Sequence, residues 1–64
     1  MAVVNNLKEI REERGLLQAD LASATGFCTK TMGRVERGER TPSAEFMLRI
    51  AAYFNLLVED VFKL

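Results

Sequence analysis

Gln18-Ala19-Asp20-Leu21-Ala22-Ser23-Ala24-Thr25-Gly26-Phe27-Cys28-Thr29-Lys30-Thr31-Met32-Gly33-Arg34-Val35-Glu36-Arg37 is the stretch on which the fold turns. Its first part, Gln18 to Thr25, places Leu17, Leu21 and Ala24, or Leu21 and Ala22, along one stripe at helical spacing. Asp20 falls in the first turn, where a carboxylate suits the positive helix end. Gly26 supplies the stop. A second period begins at Thr29. Met32, Val35 and Glu36 share one face, while Lys30, Arg34 and Arg37 share the opposite face at i, i+4 and i+7. Two short helices separated by only a few residues must turn sharply against each other.

Outward from this pair the pattern stays helical. A first helix is expected from about Asn6 to Arg14, with Leu7, Ile10, Arg11 and Arg14 on one face and Asn5 or Asn6 as cap. Val3 and Val4 ahead of it fit a short extended arm. A fourth helix is expected from about Ser43 to Phe54, introduced by Thr41-Pro42-Ser43 and stopped at Asn55. A last turn from Val58 to Phe62 follows. The expectation is an all-α, compact five-helix domain over residues 1–64 with no strands, its second and third helices forming a helix-turn-helix.

Composition removes most other classes. A chain of 64 residues has one small core, worth only roughly 3–5 kcal/mol. One cysteine forms no internal disulfide, and without histidine it makes no tetrahedral zinc site, so neither metal nor cofactor is expected. No apolar run approaches the roughly 20 residues of a membrane span, and Met1 to Asn5 does not read as a signal peptide. A cytoplasmic, non-enzymatic protein without a small-molecule ligand is expected. Lys and Arg together balance Asp and Glu at nine each, yet the charge is uneven. Residues 28–40 carry Lys30, Arg34, Arg37 and Arg40 against Glu36 and Glu39, a surplus of two positive charges, and the flanking segments are slightly acidic. A local basic stripe of this kind suits phosphate, although such a run can equally be a solvated face.

Taken together, Leu17-Gln18-Ala19-Asp20-Leu21-Ala22, Thr25-Gly26-Phe27, Met32-Gly33-Arg34-Val35-Glu36-Arg37-Gly38, Thr41-Pro42-Ser43 and Leu48-Arg49-Ile50-Ala51 resemble the Cro/cI-type (XRE-type) helix-turn-helix family of bacterial and phage transcriptional regulators. The resemblance runs from Leu7 to Phe62. It implies a lambda-repressor-like DNA-binding domain of a bacterial, phage or plasmid-encoded repressor, with the helix Thr29 to Arg37 in the major groove of double-stranded DNA. It also implies base contacts from Thr29, Lys30, Thr31 and Arg34, and a backbone contact from Gln18. Arg37 and Arg40, flanking the helix end, read as further phosphate contacts. The family often pairs an arginine with a glutamate at the positions of Arg11 and Glu36, and a paired charge can be buried where a lone one cannot; a structural salt bridge is expected there.

Three positions depart from the family pattern. Leu17, Cys28 and Leu57 stand where Ser or Thr is usual, and each missing cap costs about 0.5–2 kcal/mol. Cys28 at a helix start is also a candidate redox thiol. Gly33 inside a helix costs about 1 kcal/mol against alanine; at an exposed position it would let the helix approach a groove floor. The core is expected to comprise Leu7, Ile10, Leu21, Ala22, Phe27, Met32, Val35, Met47, Leu48, Ile50, Ala51, Phe54, Leu56, Val58 and Val61. Tyr53, Leu57, Phe62 and Leu64 are then surplus apolar surface, suited to a homodimer interface. The competing function is a protein-interaction module, such as an antitoxin or adaptor, with weak or secondary DNA binding.

Overall fold

The computed structural model describes residues 4–64; Val3, expected in the extended arm, lies outside them. Five helices follow in chain order: α1 (Leu7–Glu13), α2 (Gln18–Thr25), α3 (Thr29–Glu36), α4 (Ala44–Phe54) and α5 (Val58–Val61). They enclose one core of Leu7, Ile10, Leu21, Met32, Val35, Phe46, Ile50, Phe54, Val61 and Phe62, with Phe27, Met47, Leu56 and Val58 packed on its margin.

The expectation of no strands is corrected by a short antiparallel ribbon, β1 (Val4–Asn5) and β2 (Phe62–Lys63), with Val4 opposite Lys63 and Asn5 opposite Phe62. The Asn6 N–H continues it, donating to the Val61 carbonyl at 3.1 Å. The ribbon sets Phe62 inward at 5% exposure, its ring 6.3 Å from that of Phe46. Phe62 is therefore core and is withdrawn from the expected dimer surface. Leu48 makes the opposite correction: expected inside, it is 61% exposed. On α4 the inward positions are Phe46, Ile50 and Phe54, and a residue two places from each of the first two points the other way. Phe46 takes the interior place, its ring 4.8 Å from that of Phe27 and tilted 48° to it.

Helix ends are secured by varied devices. Asn5, not Asn6, serves α1: its Oδ1 accepts the Leu7 N–H at 3.1 Å. The same amide donates from Nδ2 to the Val35 carbonyl at 3.0 Å, tying β1 to the last turn of α3. Leu17 and Leu57 have no acceptor to offer, but Asp20 and Asp60, three residues on, accept the Leu17 and Leu57 N–H groups at 3.0 and 2.9 Å. This is the carboxylate half of a capping box. At α4 the Ser43 Oγ accepts the Phe46 N–H at 3.1 Å. Asn55, at φ 57°, ends that helix.

Candidate nucleic-acid interface

The turn between α2 and α3 depends on Gly26. Its φ of +80° is a left-handed conformation that glycine adopts at no steric cost, and the next N–H, of Phe27, returns to the Ala22 carbonyl at 2.9 Å. The free Thr25 carbonyl at the end of α2 is met from α4 by Arg49, whose Nη1 donates to it at 3.4 Å. Arg49 also lies over the Phe27 ring at 5.8 Å and pairs with Glu45 at 2.8 Å. Arg49 thus holds the turn from behind, a role that the sequence pattern alone does not mark.

Behind α3 stands a buried polar cluster. Arg11 Nε and Glu36 Oε2 are 2.7 Å apart, with side-chain exposures of 8% and 2%. Arg11 Nη2 donates to Glu36 Oε1 at 3.1 Å and Nη1 to the Leu16 carbonyl at 2.8 Å. Both charges are hydrogen-bonded, as burial requires. The contact with Glu36 raises the Arg11 pKa above its already high ordinary value. Gln18 joins the cluster, donating from Nε2 to Glu36 Oε1 at 3.0 Å. One carboxylate therefore fixes α1, the start of α2 and the end of α3 in a single geometry.

The outer side of α3 is cationic. Lys30, Arg34 and Arg37 are exposed along it, and Thr29 is exposed at its start. Among the described residues Lys30, Arg34 and Arg40 form no ion pair. Arg37, by contrast, pairs with Glu39 through Nε at 2.7 Å and Nη2 at 3.3 Å. Thr31 is half-buried and its hydroxyl meets Cys28 Sγ at 3.1 Å.

Two readings of the sequence change here. Cys28 is a working cap: its sulfur accepts the Thr31 N–H at 3.5 Å. The Thr31 hydroxyl, then the Thr31 N–H, hold the thiol pKa below its usual value. Gly33 is buried rather than exposed. A Cβ there would stand 3.0 Å from Arg37 Nη1 and 3.4 Å from Gln18 Oε1, so the absent side chain makes room for those two groups.

A helix about 10–12 Å across carrying donors on one side matches a major groove about 12 Å wide. The helix-turn-helix domain family matches residues 3–62 of the chain. The chain belongs to the Cro/cI-type (XRE-type) helix-turn-helix family. It is 36% identical over 58 residues to an uncharacterized HTH-type transcriptional regulator of Methanocaldococcus jannaschii, covering 91% of this chain and 88% of the relative. It is 35% identical over 58 residues to the uncharacterized HTH-type transcriptional regulator YgzD of Bacillus subtilis, at the same two coverages, 91% and 88%. Among solved structures it is similar to the restriction-modification controller protein C.AhdI from Aeromonas hydrophila, with a TM-score of 0.79 and 33% identity over 84% of this chain and 82% of that one. As a helix-turn-helix protein of this family the chain is a DNA-binding transcriptional regulator. No helix among the described residues is long and apolar enough to cross a membrane.

Proposed function

We propose that this regulator is a sequence-specific repressor that lays α3 in the major groove of double-stranded DNA. Thr29, Lys30 and Arg34 read base edges, with Arg34 able to donate two parallel hydrogen bonds to one guanine. Thr31 contributes its methyl group, since its hydroxyl is turned to Cys28. Gln18, Arg37 and Arg40 hold phosphates on either side, which fix register without carrying sequence information. The protein acts in the cytoplasm as a non-enzymatic homodimer on half-sites about one DNA turn apart, joined through Tyr53, Leu57 and Leu64, which are 45%, 64% and 88% exposed.

The observation that carries this reading is the division of α3. Its inner side is locked by the core and the Arg11–Glu36 pair, and its outer side presents Lys30 and Arg34 free of ion pairs among the described residues. A rigid mount with exposed cationic tips is what reading a groove requires.

The test is titration of labelled duplex DNA at two salt concentrations. A groove-binding repressor loses affinity steeply as salt rises, with a log–log slope of roughly −0.9 for each phosphate neutralised. Failure to bind any duplex in a salt-sensitive manner would instead favour a protein-interaction module.

A further inference from the structure

We infer that Glu39 is a built-in competitor for Arg37, holding the regulator's grip on the DNA backbone below what its cations alone would give. This inference rests on the DNA-binding mode proposed above. Arg37 follows the last residue of α3, and its guanidinium offers Nε and Nη2 as a two-pronged edge to Glu39, at 2.7 and 3.3 Å. A phosphate would engage the same edge in the same fork geometry. Carboxylate and phosphate cannot both occupy it.

The competitor is fixed in place. The Glu39 N–H donates to the Arg34 carbonyl at 2.9 Å, so the backbone bearing the carboxylate is anchored to the end of α3. Only one residue separates the two partners, so closing the pair orders little chain. Both side chains are open to solvent, at 56% and 52% exposure, and a polyanion can reach them. The hydrogen bond to Arg37 holds the Glu39 carboxyl below the usual carboxylate range, with Arg34 adding to the effect, so the competitor stays charged near neutral pH.

Arg37 is the group at this end of α3 that a phosphate can engage. Its Nη1 and the Gln18 Oε1 converge over the bare backbone of Gly33, while the Gln18 Nε2 is bound to Glu36. The amide oxygen is an acceptor and offers a phosphate nothing, so Arg37 is the donor here, and Glu39 neutralises it in the free protein. DNA binding exchanges carboxylate for phosphate at Arg37 and leaves the Glu39 charge beside the polyanion. Little counterion release is gained at this arginine.

The experiment measures binding of a labelled duplex across a salt series by the wild type, Glu39→Gln, Glu39→Ser, Arg37→Ala and the double variant Arg37→Ala/Glu39→Gln, with thermal melts confirming that each is folded. Both Glu39 variants should bind any duplex about three- to tenfold more tightly at low salt and steepen the slope by roughly 0.9, one further phosphate. Arg37→Ala should abolish that gain in the double variant. Wild-type binding that ignores both Glu39 substitutions overturns this inference alone, as does a gain that survives loss of Arg37. Absence of binding by the wild type and by both Glu39 variants overturns the DNA-binding mode and this inference with it.

Discussion

Arg11 of α1 and Glu36 of α3 form a doubly hydrogen-bonded ion pair that is almost entirely sealed from water, and Gln18 of α2 binds the same carboxylate. Breaking one side of a buried pair leaves the other charge uncompensated and costs about 3–5 kcal/mol. That is comparable to the whole stability of a core this small. Glu36→Ala is therefore expected to be largely unfolded at 25 °C, measured by far-UV circular dichroism in a urea titration. The double variant Arg11→Met/Glu36→Leu, which removes both charges, should recover much of the loss. Equal damage from both would show that the pair's geometry, not the stranded charge, matters.

Phe62 and its neighbours separate fold from assembly. Phe62→Ala empties a core position against Phe46 and should cost about 3–5 kcal/mol. Leu64→Ser alters an exposed side chain and should leave the melting temperature nearly unchanged, and Leu57→Ser, which also supplies the α5 cap that Leu57 lacks, should raise it, while both shift the sedimentation equilibrium toward monomer. Unchanged association in both serine variants would remove these residues from the dimer surface.

Gly33→Ala should raise helix propensity by about 1 kcal/mol. The atom nearest the added methyl is Arg37 Nη1 at 3.0 Å, the end of an exposed and flexible side chain that can move aside, and Gln18 Oε1 stands at ordinary contact distance, 3.4 Å. The expected outcome is a melting temperature no lower than that of the wild type, together with weaker binding to every duplex sequence. A drop in stability with affinity preserved would mean that the space serves packing alone.

Cys28 carries a pH signature. Because Thr31 depresses the thiol pKa, more thiolate is present at a given pH than in an unstructured cysteine. The sign of the linkage follows: this contact supports the fold above the unfolded thiol's pKa and is lost as pH falls through the folded one. The pH profile of Cys28 alkylation should lie below that of the urea-unfolded chain, and Thr31→Val should move it back up. Coincident profiles for folded and unfolded protein would rule the depressed thiol out.

Local periodicity carried most of the helical frame. The α2 and α3 ranges follow from Leu21, Met32 and Val35 with Gly26 between them, and the outward stripe follows from the spacing of Lys30, Arg34 and Arg37. What was not legible depends on partners distant in sequence or on loop geometry. The ribbon pairs Asn5 with Phe62, and nothing local to either residue announces it. Without the ribbon, Phe62 looks like surplus surface. Gly33 looks exposed until Gln18, from another helix, is placed over it. The charge count showed Glu39 beside Arg37 but not that their side chains would meet. Leu48 is a different case: its hydrophobicity suggests the core, but the spacing of Phe46, Ile50 and Phe54 already places it outside, where it lies.

The most direct test of α3 as the reading helix is selection of bound duplexes from a random pool by the wild type and by Arg34→Ala, followed by sequencing. Loss of Arg34 should cost about 1–3 kcal/mol at one base pair of each half-site and relax preference there while leaving neighbouring positions intact. Identical base preferences for the two proteins, or a uniform loss at every position, would contradict the placement of Arg34 in the groove.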